Sequence, residues 1–85
     1  MLKVSSKSKP NAVAGAIAHV LKTTEKLEAQ AVGAGAVNQL MKACAIASGF
    51  LAPMGYRVMV QPTFNLIDIN GEEVTSLLFI IARVK

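Results

Sequence analysis

Residues 27–51 read LEAQAVGAGAVNQLMKACAIASGFL, and this stretch decides the predicted fold. Its first residues alternate as a β-strand does, with Ala29 and Ala31 on one face. Gly33-Ala34-Gly35 then interrupts the strand and opens a helix over about Ala36 to Leu51. A strand, a glycine turn and a helix in this order are typical of α/β folds, so we predict one here.

The predicted helix is apolar on two sides. One stripe comprises Val37, Leu40, Met41, Cys44 and Leu51, and the other comprises Ala36, Ala43, Ile46, Ala47 and Phe50. A helix that is apolar nearly all round is buried on more than one side. One small sheet is expected to cover only one of these sides, so we predict a stable homodimer, with a higher oligomer as the alternative. We assign four residues to its interface: Leu40, Met41, Cys44 and Phe50.

The residues before this unit predict another strand and helix. Leu2 to Val4 alternate as a short strand, and a polar loop follows from Ser5 to Lys9. The helical spacing of the next apolar residues predicts a helix from about Pro10 to Thr23. Ser8 or Asn11 is expected to cap it, because short polar side chains accept hydrogen bonds from the first free N–H groups.

The residues after this unit predict a β-hairpin. Two alternating, β-branched segments, Tyr56–Ile69 and Val74–Val84, flank Asn70-Gly71, which is the strongest short hairpin signal. The element order is then βαβαββ, so we predict an α/β two-layer sandwich with two helices on a four-stranded mixed sheet. The chain has 85 residues without a repeat or linker, and we expect one domain over residues 1–85.

Composition excludes several classes of protein. Hydrophobic residues are 53% of the chain and charged residues 16%, which excludes intrinsic disorder. The longest uncharged run, residues 43–56, is too short to span a membrane and is broken by Pro53. A single cysteine, Cys44, forms neither an intrachain disulfide nor a zinc cluster. We expect a cytoplasmic protein with no membrane contact, metal or cofactor.

Candidate catalytic groups are sparse. Glu72 and Glu73 are adjacent, and adjacent strand residues point to opposite faces, so they do not predict an acid/base dyad. His19 is interpreted as a surface residue of the first helix, with a phosphate contact as the alternative. Cys44 lies on an apolar stripe without a recognisable base to activate it. We therefore expect no enzymatic activity.

The glycine turn at residues 33–35 allows two interpretations. One is a tight turn that needs positive φ or close packing. The other is an anion site at the start of the following helix, where free N–H groups meet the positive end of the helix dipole. The dinucleotide fingerprint fails because Asn38 occupies its third glycine position, and the Walker pattern fails because Gly-Lys-Ser/Thr is absent.

Charge is unevenly distributed along the chain. Residues 1–26 carry five lysines and one acid, which accounts for the whole net charge of +4. Residues 27–56 and residues 57–85 are each balanced. Lysines also keep alanine-rich domains soluble, but an excess confined to the first strand, loop and helix is compatible with nucleic-acid binding.

Three segments together resemble a known family. They are LKVSSKSKPNAVAGAIA from Leu2, AVGAGAVNQLMKACAIASGFLAP from Ala31 and IDINGEEVT from Ile67. Over nearly its whole length the chain resembles the stage V sporulation protein S family, which is similar in fold to the chromatin protein Alba. The resemblance implies a βαβαββ dimer that binds DNA or RNA, and a cytoplasmic bacterial regulator linked to sporulation and septation.

The resemblance also implies site residues. In Alba-like proteins the loop after the first strand presents lysines to the nucleic-acid backbone, and Lys7 and Lys9 occupy that loop here. Further candidates for the same surface are Gly33, Gly35 and Asn38, with Lys3, Lys22 and Lys42 as supports. Alba-like hairpins carry basic residues along the minor groove. This hairpin instead carries Asp68, Glu72 and Glu73, which argues against the same duplex wrapping.

The leading hypothesis is a non-enzymatic, dimeric nucleic-acid-binding regulator with weak sequence selectivity. The alternative is a protein-interaction scaffold in sporulation or cell division that does not bind nucleic acid. A small-anion sensor that uses Gly33–Gly35 is a third hypothesis. Strong salt dependence of nucleic-acid binding would favour the first, because each neutralised phosphate releases counterions.

Overall fold

The computed structural model describes all of residues 1–85. Its elements are β1 (Leu2–Val4), α1 (Pro10–Leu21), β2 (Lys26–Ala31), α2 (Ala34–Leu51), β3 (Arg57–Ile69) and β4 (Glu72–Val84), with a single 3-10 turn at Ala52–Met54. Two helices cover one face of a four-stranded mixed sheet. The predicted α/β two-layer fold and its βαβαββ order are confirmed, and the element boundaries differ by at most two residues from those predicted.

The order of strands in the sheet is β1-β2-β4-β3. Strands β1 and β2 are parallel, with Val4 opposite Ala31, and the other pairs are antiparallel. Because parallel strands end at the same edge of a sheet, the loops that follow β1 and β2 lie side by side. The N-termini of α1 and α2 therefore start from the same edge, which places the predicted functional segments next to each other.

The hairpin of β3 and β4 is longer than the rest of the sheet. Asn70 and Gly71 have φ angles of 53° and 83°, as a two-residue type I′ turn requires, and pairing resumes at once with Ile69 opposite Glu72. Strand β2 pairs with β4 only as far as Leu77. The hairpin therefore extends about 17 Å past β2, at ~3.3 Å per residue, and accounts for the 45 Å long axis of the molecule.

The core lies between the helices and the sheet. Its buried side chains from the sheet are Val4, Ala29, Ala31, Phe79 and Ile81, and α1 adds Val13, Ala14, Ile17, Ala18 and Leu21. Many of these residues are alanines, which let the backbones approach closely. The predicted common face of Ala29 and Ala31 is confirmed, because both are buried against the helices.

The second helix corrects part of the predicted dimer interface. Leu40 and Cys44 are buried in the core of a single chain, with 0% and 6% of their surface exposed, so the premise that one sheet cannot cover them is wrong. Met41 is half-buried and Phe50 is exposed. These two are nine residues apart, and at 3.6 residues per turn they lie on opposite flanks of α2. The four residues therefore do not form one patch.

The end of α1 is closed by the last strand. Nη1 of Arg83 donates hydrogen bonds to the carbonyl oxygens of Leu21 and Lys22, at 2.9 and 3.1 Å. Its guanidinium also lies over the ring of Tyr56, 4.7 Å from the centroid. A cation at a helix C-terminus satisfies free carbonyl groups and opposes the negative end of the dipole. Arg83 therefore has a structural role at the end opposite the basic loop.

Candidate nucleic-acid interface

Residues Ser5–Lys9, which we call the basic loop, form an ordered turn after β1. The backbone N–H of Ser8 donates to the carbonyl of Ser5 at 3.1 Å, and the N–H of Ser5 donates to Oγ of Ser8 at 3.0 Å. Oγ of Ser5 also accepts from the N–H of Lys7, at 3.2 Å. These hydrogen bonds hold the backbone while the side chains of Lys7 and Lys9 are exposed.

The basic loop is fastened to the first turns of α2. Nε2 of Gln39 donates to the carbonyl of Ser8 at 2.9 Å. A Cβ on Gly35 would lie 2.9 Å from Cβ of Ser6, so only glycine allows this approach. Gly33, in contrast, has a φ of 89°, which is the left-handed region. Both parts of the tight-turn interpretation hold, but in different glycines: Gly33 provides positive φ and Gly35 close packing.

Two helix N-termini flank the basic loop, and neither is capped by a side chain. Lys9 is the N-cap residue of α1 and Gly33 that of α2, and neither first turn contains an acid. The prediction that Ser8 or Asn11 caps α1 is wrong, because the hydroxyl of Ser8 accepts a bond within the basic loop. Uncapped N–H groups and the positive ends of two dipoles make this edge favourable for anions.

The remaining candidates are distributed over the molecule. Asn38 and Lys42 are both exposed, and because they are four residues apart they lie on the same side of α2. Lys3 is exposed on β1, on the sheet face opposite the helices, beside Gln30. Lys22 follows the C-terminus of α1, about 20 Å from Lys9 along the helix at ~1.5 Å per residue. The structure brings the basic loop and the glycine turn together and leaves Lys22 at the far end.

The tip of the hairpin is acidic. Asp68 lies directly opposite Glu73, and Glu72 points to the other face of the sheet. The predicted separation of Glu72 and Glu73 onto opposite faces is thus confirmed by the register. Like charges directly across an antiparallel pair repel each other. This tip projects from the same edge of the sheet as the basic loop, so a phosphate backbone that followed the hairpin would meet negative charge.

An apolar cleft lies between α2 and the hairpin. It has a volume of about 580 Å³ and includes Val37, Met41 and Leu77 in its lining. Leu77 pairs with Phe64, so the apolar surface continues onto β3, where Phe64 and Leu66 are 83% and 63% exposed. We call this surface, Val37, Met41, Phe64, Leu66 and Leu77, the hairpin cleft. Exposed apolar side chains grouped in this way are typical of protein contacts.

Cys44, the one candidate nucleophile that the sequence offered, is buried in the core. Burial raises the pKa of the Cys44 thiol to about 11, so its nucleophilic thiolate is scarce at neutral pH. No group of three or more histidine, cysteine or acidic side chains is placed to hold a metal ion. Neither helix is long and apolar enough to cross a membrane.

Sequence reasoning missed the residues that order the basic loop. The charge pattern indicated only Lys7 and Lys9 as phosphate contacts in this loop. The residues that order it carry no charge and match no binding motif: Ser5, Ser6, Ser8 and Gln39. The spacing Ser5-x-x-Ser8 was an available signal, because serine hydroxyls bond to backbone groups two or three residues away in turns. The contact of Ser6 with Gly35 and the hydrogen bond from Gln39 to Ser8 depend on the tertiary fold and have no local signal.

The chain matches one protein family over its full fold. A model of the family described as Stage V sporulation protein S (SpoVS) matches residues 1–84, which includes the basic loop, the glycine turn and the hairpin. This match supports a sporulation-related regulator. Because it covers all but the last residue, the chain belongs to the stage V sporulation protein S family.

Proposed function

We propose that this protein is a dimeric, nucleic-acid-binding regulator that contacts phosphate groups mainly through the basic loop. The observation that carries the proposal is the position of Lys7 and Lys9 on an ordered turn between two uncapped helix N-termini. Lysine side chains can move toward successive phosphates, whereas the backbone that carries them does not need to reorganise. Binding to this edge is therefore electrostatic and largely independent of base sequence.

The net charge distribution supports the same edge. The surplus of positive charge lies within residues 1–26, and the basic loop is its part nearest the glycine turn. Arg83 is engaged at the C-terminus of α1, and Lys85 lies near the ring of Tyr56, 5.6 Å from its centroid. Arg83 and Lys85 thus have partners within the chain, whereas the side chains of Lys7 and Lys9 are exposed and free to meet phosphates.

The acidic hairpin tip limits the kind of complex. A duplex that lay along the hairpin would approach Asp68, Glu72 and Glu73. We therefore propose that nucleic acid contacts the basic loop and the N-termini of α1 and α2, and that the hairpin does not wrap around it. Aromatic side chains for base stacking are absent from the basic loop, which argues against readout of unpaired bases there.

The hairpin cleft is the surface that we propose for the dimer. Phe64 and Leu66 expose most of their surface. Of the four interface residues predicted from the sequence, Met41 is the one that belongs to this cleft. A second copy related by two-fold symmetry would place each apolar hairpin against the other chain's α2. The same exposed surface favours a protein-interaction scaffold as the second candidate function, with another polypeptide in place of the second copy.

A salt titration tests the proposed phosphate contact. Binding of fluorescent duplex DNA, single-stranded DNA and RNA is measured by anisotropy at several salt concentrations. In a dimer, Lys7→Ala with Lys9→Ala removes up to four phosphate contacts, so the slope of log K against log salt becomes shallower by up to roughly 3–4 units for duplex DNA. Sequence preference is expected to change little.

The matched control is Lys26→Ala with Lys85→Ala, which removes the same charge from the opposite edge of the sheet. We expect it to retain most of the parental slope. If the Lys7 and Lys9 variant binds all three nucleic acids as the parent does, the basic loop is not the site. Capture of a specific protein that is insensitive to salt would then favour the scaffold.

A further inference from the structure

The face of the sheet opposite the helices is uncovered. We call it the open face; it consists of alternate residues of each strand, and β1 and β2 contribute mainly polar side chains to it. Its large apolar residues are Met59, Ile67, Ile69, Val74, Leu78, Ile80 and Val84. Met59 is 54% exposed and Ile69 is 46% exposed. Apolar side chains thus follow the open face along the whole hairpin, outside the core and outside the hairpin cleft.

Charges on the open face have opposite signs at its two ends. Arg57 lies at the base, where it pairs with Val84, and Glu72 lies at the tip, where it pairs with Ile69. Both side chains are exposed. About 40 Å of strand separates the two ends, at ~3.3 Å per residue. The face is therefore an apolar strip with a cation at one end and an anion at the other.

We propose that the open face binds the open face of a second copy of this chain, with the strands of the two sheets antiparallel. A two-fold axis across the strands at Thr63 and Leu78 produces this arrangement, because these two residues pair with each other midway along the hairpin. It brings Arg57 of each chain close to the partner's Glu72. The two-fold axis thus forms two pairs of opposite charge, one between each chain's Arg57 and the partner's Glu72.

The sequence along β3 fits the same axis. Reversal about Thr63 places Met59 over the partner's Ile67, which joins two apolar side chains, and Gln61 over the partner's Asn65, which joins two amides. On β4 the same operation places Ala82 over the partner's Val74. These three pairs match in polarity, whereas Ile80 lies over the partner's Ser76, and at the two ends Arg57 and Val84 lie over the partner's Ile69 and Glu72.

The opposite orientation lacks this match. A two-fold axis parallel to the strands and over β4 would place β3 over the partner's β2, and Arg57 would approach the partner's Lys26. Two cations would then meet at the rim of the contact. The antiparallel arrangement also brings two cations together, because Lys3 lies in the same row as Leu78 and Thr63, but of the two it alone joins Arg57 to the partner's Glu72.

The area of the open face suits a second copy. The paired strands give it a projected area on the order of 600 Å², from ~3.3 Å per residue and ~4.8 Å between strands. Each partner of a standard protein interface contributes about 800 Å² of accessible surface, which exceeds projected area because side chains protrude. Sheets that pack face to face in this way lie about 10 Å apart.

Assembly beyond the dimer follows from this contact together with the hairpin cleft. The two surfaces lie on opposite faces of the hairpin, so one chain can bind a different copy through each. Two isologous contacts on one chain join dimers into a tetramer or a longer row. Several basic loops would then be carried by one assembly.

Sedimentation equilibrium of the full chain, without nucleic acid, tests the proposal. We expect the parent to form species larger than a dimer and Met59→Glu to leave dimers. Phe64→Glu, on the other face of the same strand, is the matched control: it should also leave dimers, and the double variant should be monomeric. Arg57→Glu alone should weaken the contact at least 10-fold, and Arg57→Glu with Glu72→Arg should restore it.

The variants at Arg57 and Glu72 keep the test valid if Met59→Glu fails to fold, because both of these side chains are exposed. A parental dimer that Met59→Glu converts to monomer also supports the proposal and excludes the dimer through the hairpin cleft. A parental mass that neither Met59→Glu nor Arg57→Glu changes overturns it. If these variants keep the parental mass but bind RNA more weakly, the open face is assigned to nucleic acid, and this result also overturns the proposal.

Discussion

Helix α2 and strand β3 are both rich in apolar residues, but a single chain covers them to very different extents. Leu40 of α2 is 0% exposed, whereas Phe64 of β3 is 83% exposed. The helix lies over the sheet and beside α1, while the outer part of β3 extends past the end of β2. An apolar stripe is therefore evidence of an intermolecular contact only where the fold has no element left to cover it.

The largest effect is expected where a charge replaces a buried residue of α2. Leu40→Asp places an unpaired carboxylate in the core, at a cost of at least about 4 kcal/mol, which is comparable to the whole stability of a small domain. Phe64→Asp places the same charge in solvent, so the chain should stay folded and lose only self-association. Circular dichroism and sedimentation distinguish the two. A folded Leu40→Asp variant would contradict the burial of this stripe.

A second effect should depend on pH. Burial raises the pKa of Cys44 to about 11 from about 9, so its contribution to the free energy of unfolding is fully present below pH 9 and is lost as the pH rises toward 11. The loss attributable to this thiol is about 2 kcal/mol. Denaturant unfolding at pH 8 and pH 11 measures it, with Cys44→Ala as the control that removes the titrating group. Equal pH dependence of both proteins would be evidence against a buried thiol.

A smaller effect is expected at the contact between the basic loop and α2. Gly35→Val forces Ser6 away from the helix and should lower stability by roughly 1–3 kcal/mol, with weaker nucleic-acid binding. Gly49→Ala in the same helix is the control, because no atom lies within 4 Å of its added Cβ. It should raise stability by about 0.5–1 kcal/mol. Similar melting temperatures for both variants would show that the loop does not pack against Gly35.

The smallest effect concerns the hairpin tip. Asp68→Asn removes the repulsion with Glu73 directly across the strands and should stabilise the chain by roughly 0.2–1 kcal/mol. Neutralising Glu72 and Glu73 should strengthen duplex binding modestly if the tip approaches phosphates. Thermal unfolding and anisotropy measure the two effects. An unchanged affinity would place the tip away from the bound nucleic acid.

Local signals in the sequence were sufficient for the elements and their order. Asn70-Gly71 specified the hairpin, and the alternation around it specified both long strands, because these signals depend on turn geometry and side-chain period alone. The predicted start of β4 at Val74 was two residues late, because charged residues at a hairpin tip do not look like a strand although they pair immediately.

Contacts between distant segments could not be predicted in the same way. The helical period identified the stripes of α2, but it did not show that the core would cover Leu40 and Cys44 while leaving Met41 at its margin. Alanines in the sheet and helices let these elements pack more closely than larger side chains would allow. The approach of Ser6 to Gly35 likewise depends on how β1 and β2 are paired, which no local pattern encodes.

The position of β4 has a consequence for how the protein is made. This last strand lies between β2 and β3, which do not pair with each other, and its Arg83 bonds to the end of α1. During synthesis, β1, α1, β2 and α2 leave the ribosome well before β4, the strand that connects β2 to β3 in the sheet. The helices and β2 of the growing chain therefore lack β4 as a packing partner until that strand has been made. A stop codon ahead of β4 would leave a fragment for proteolysis rather than a shorter folded protein.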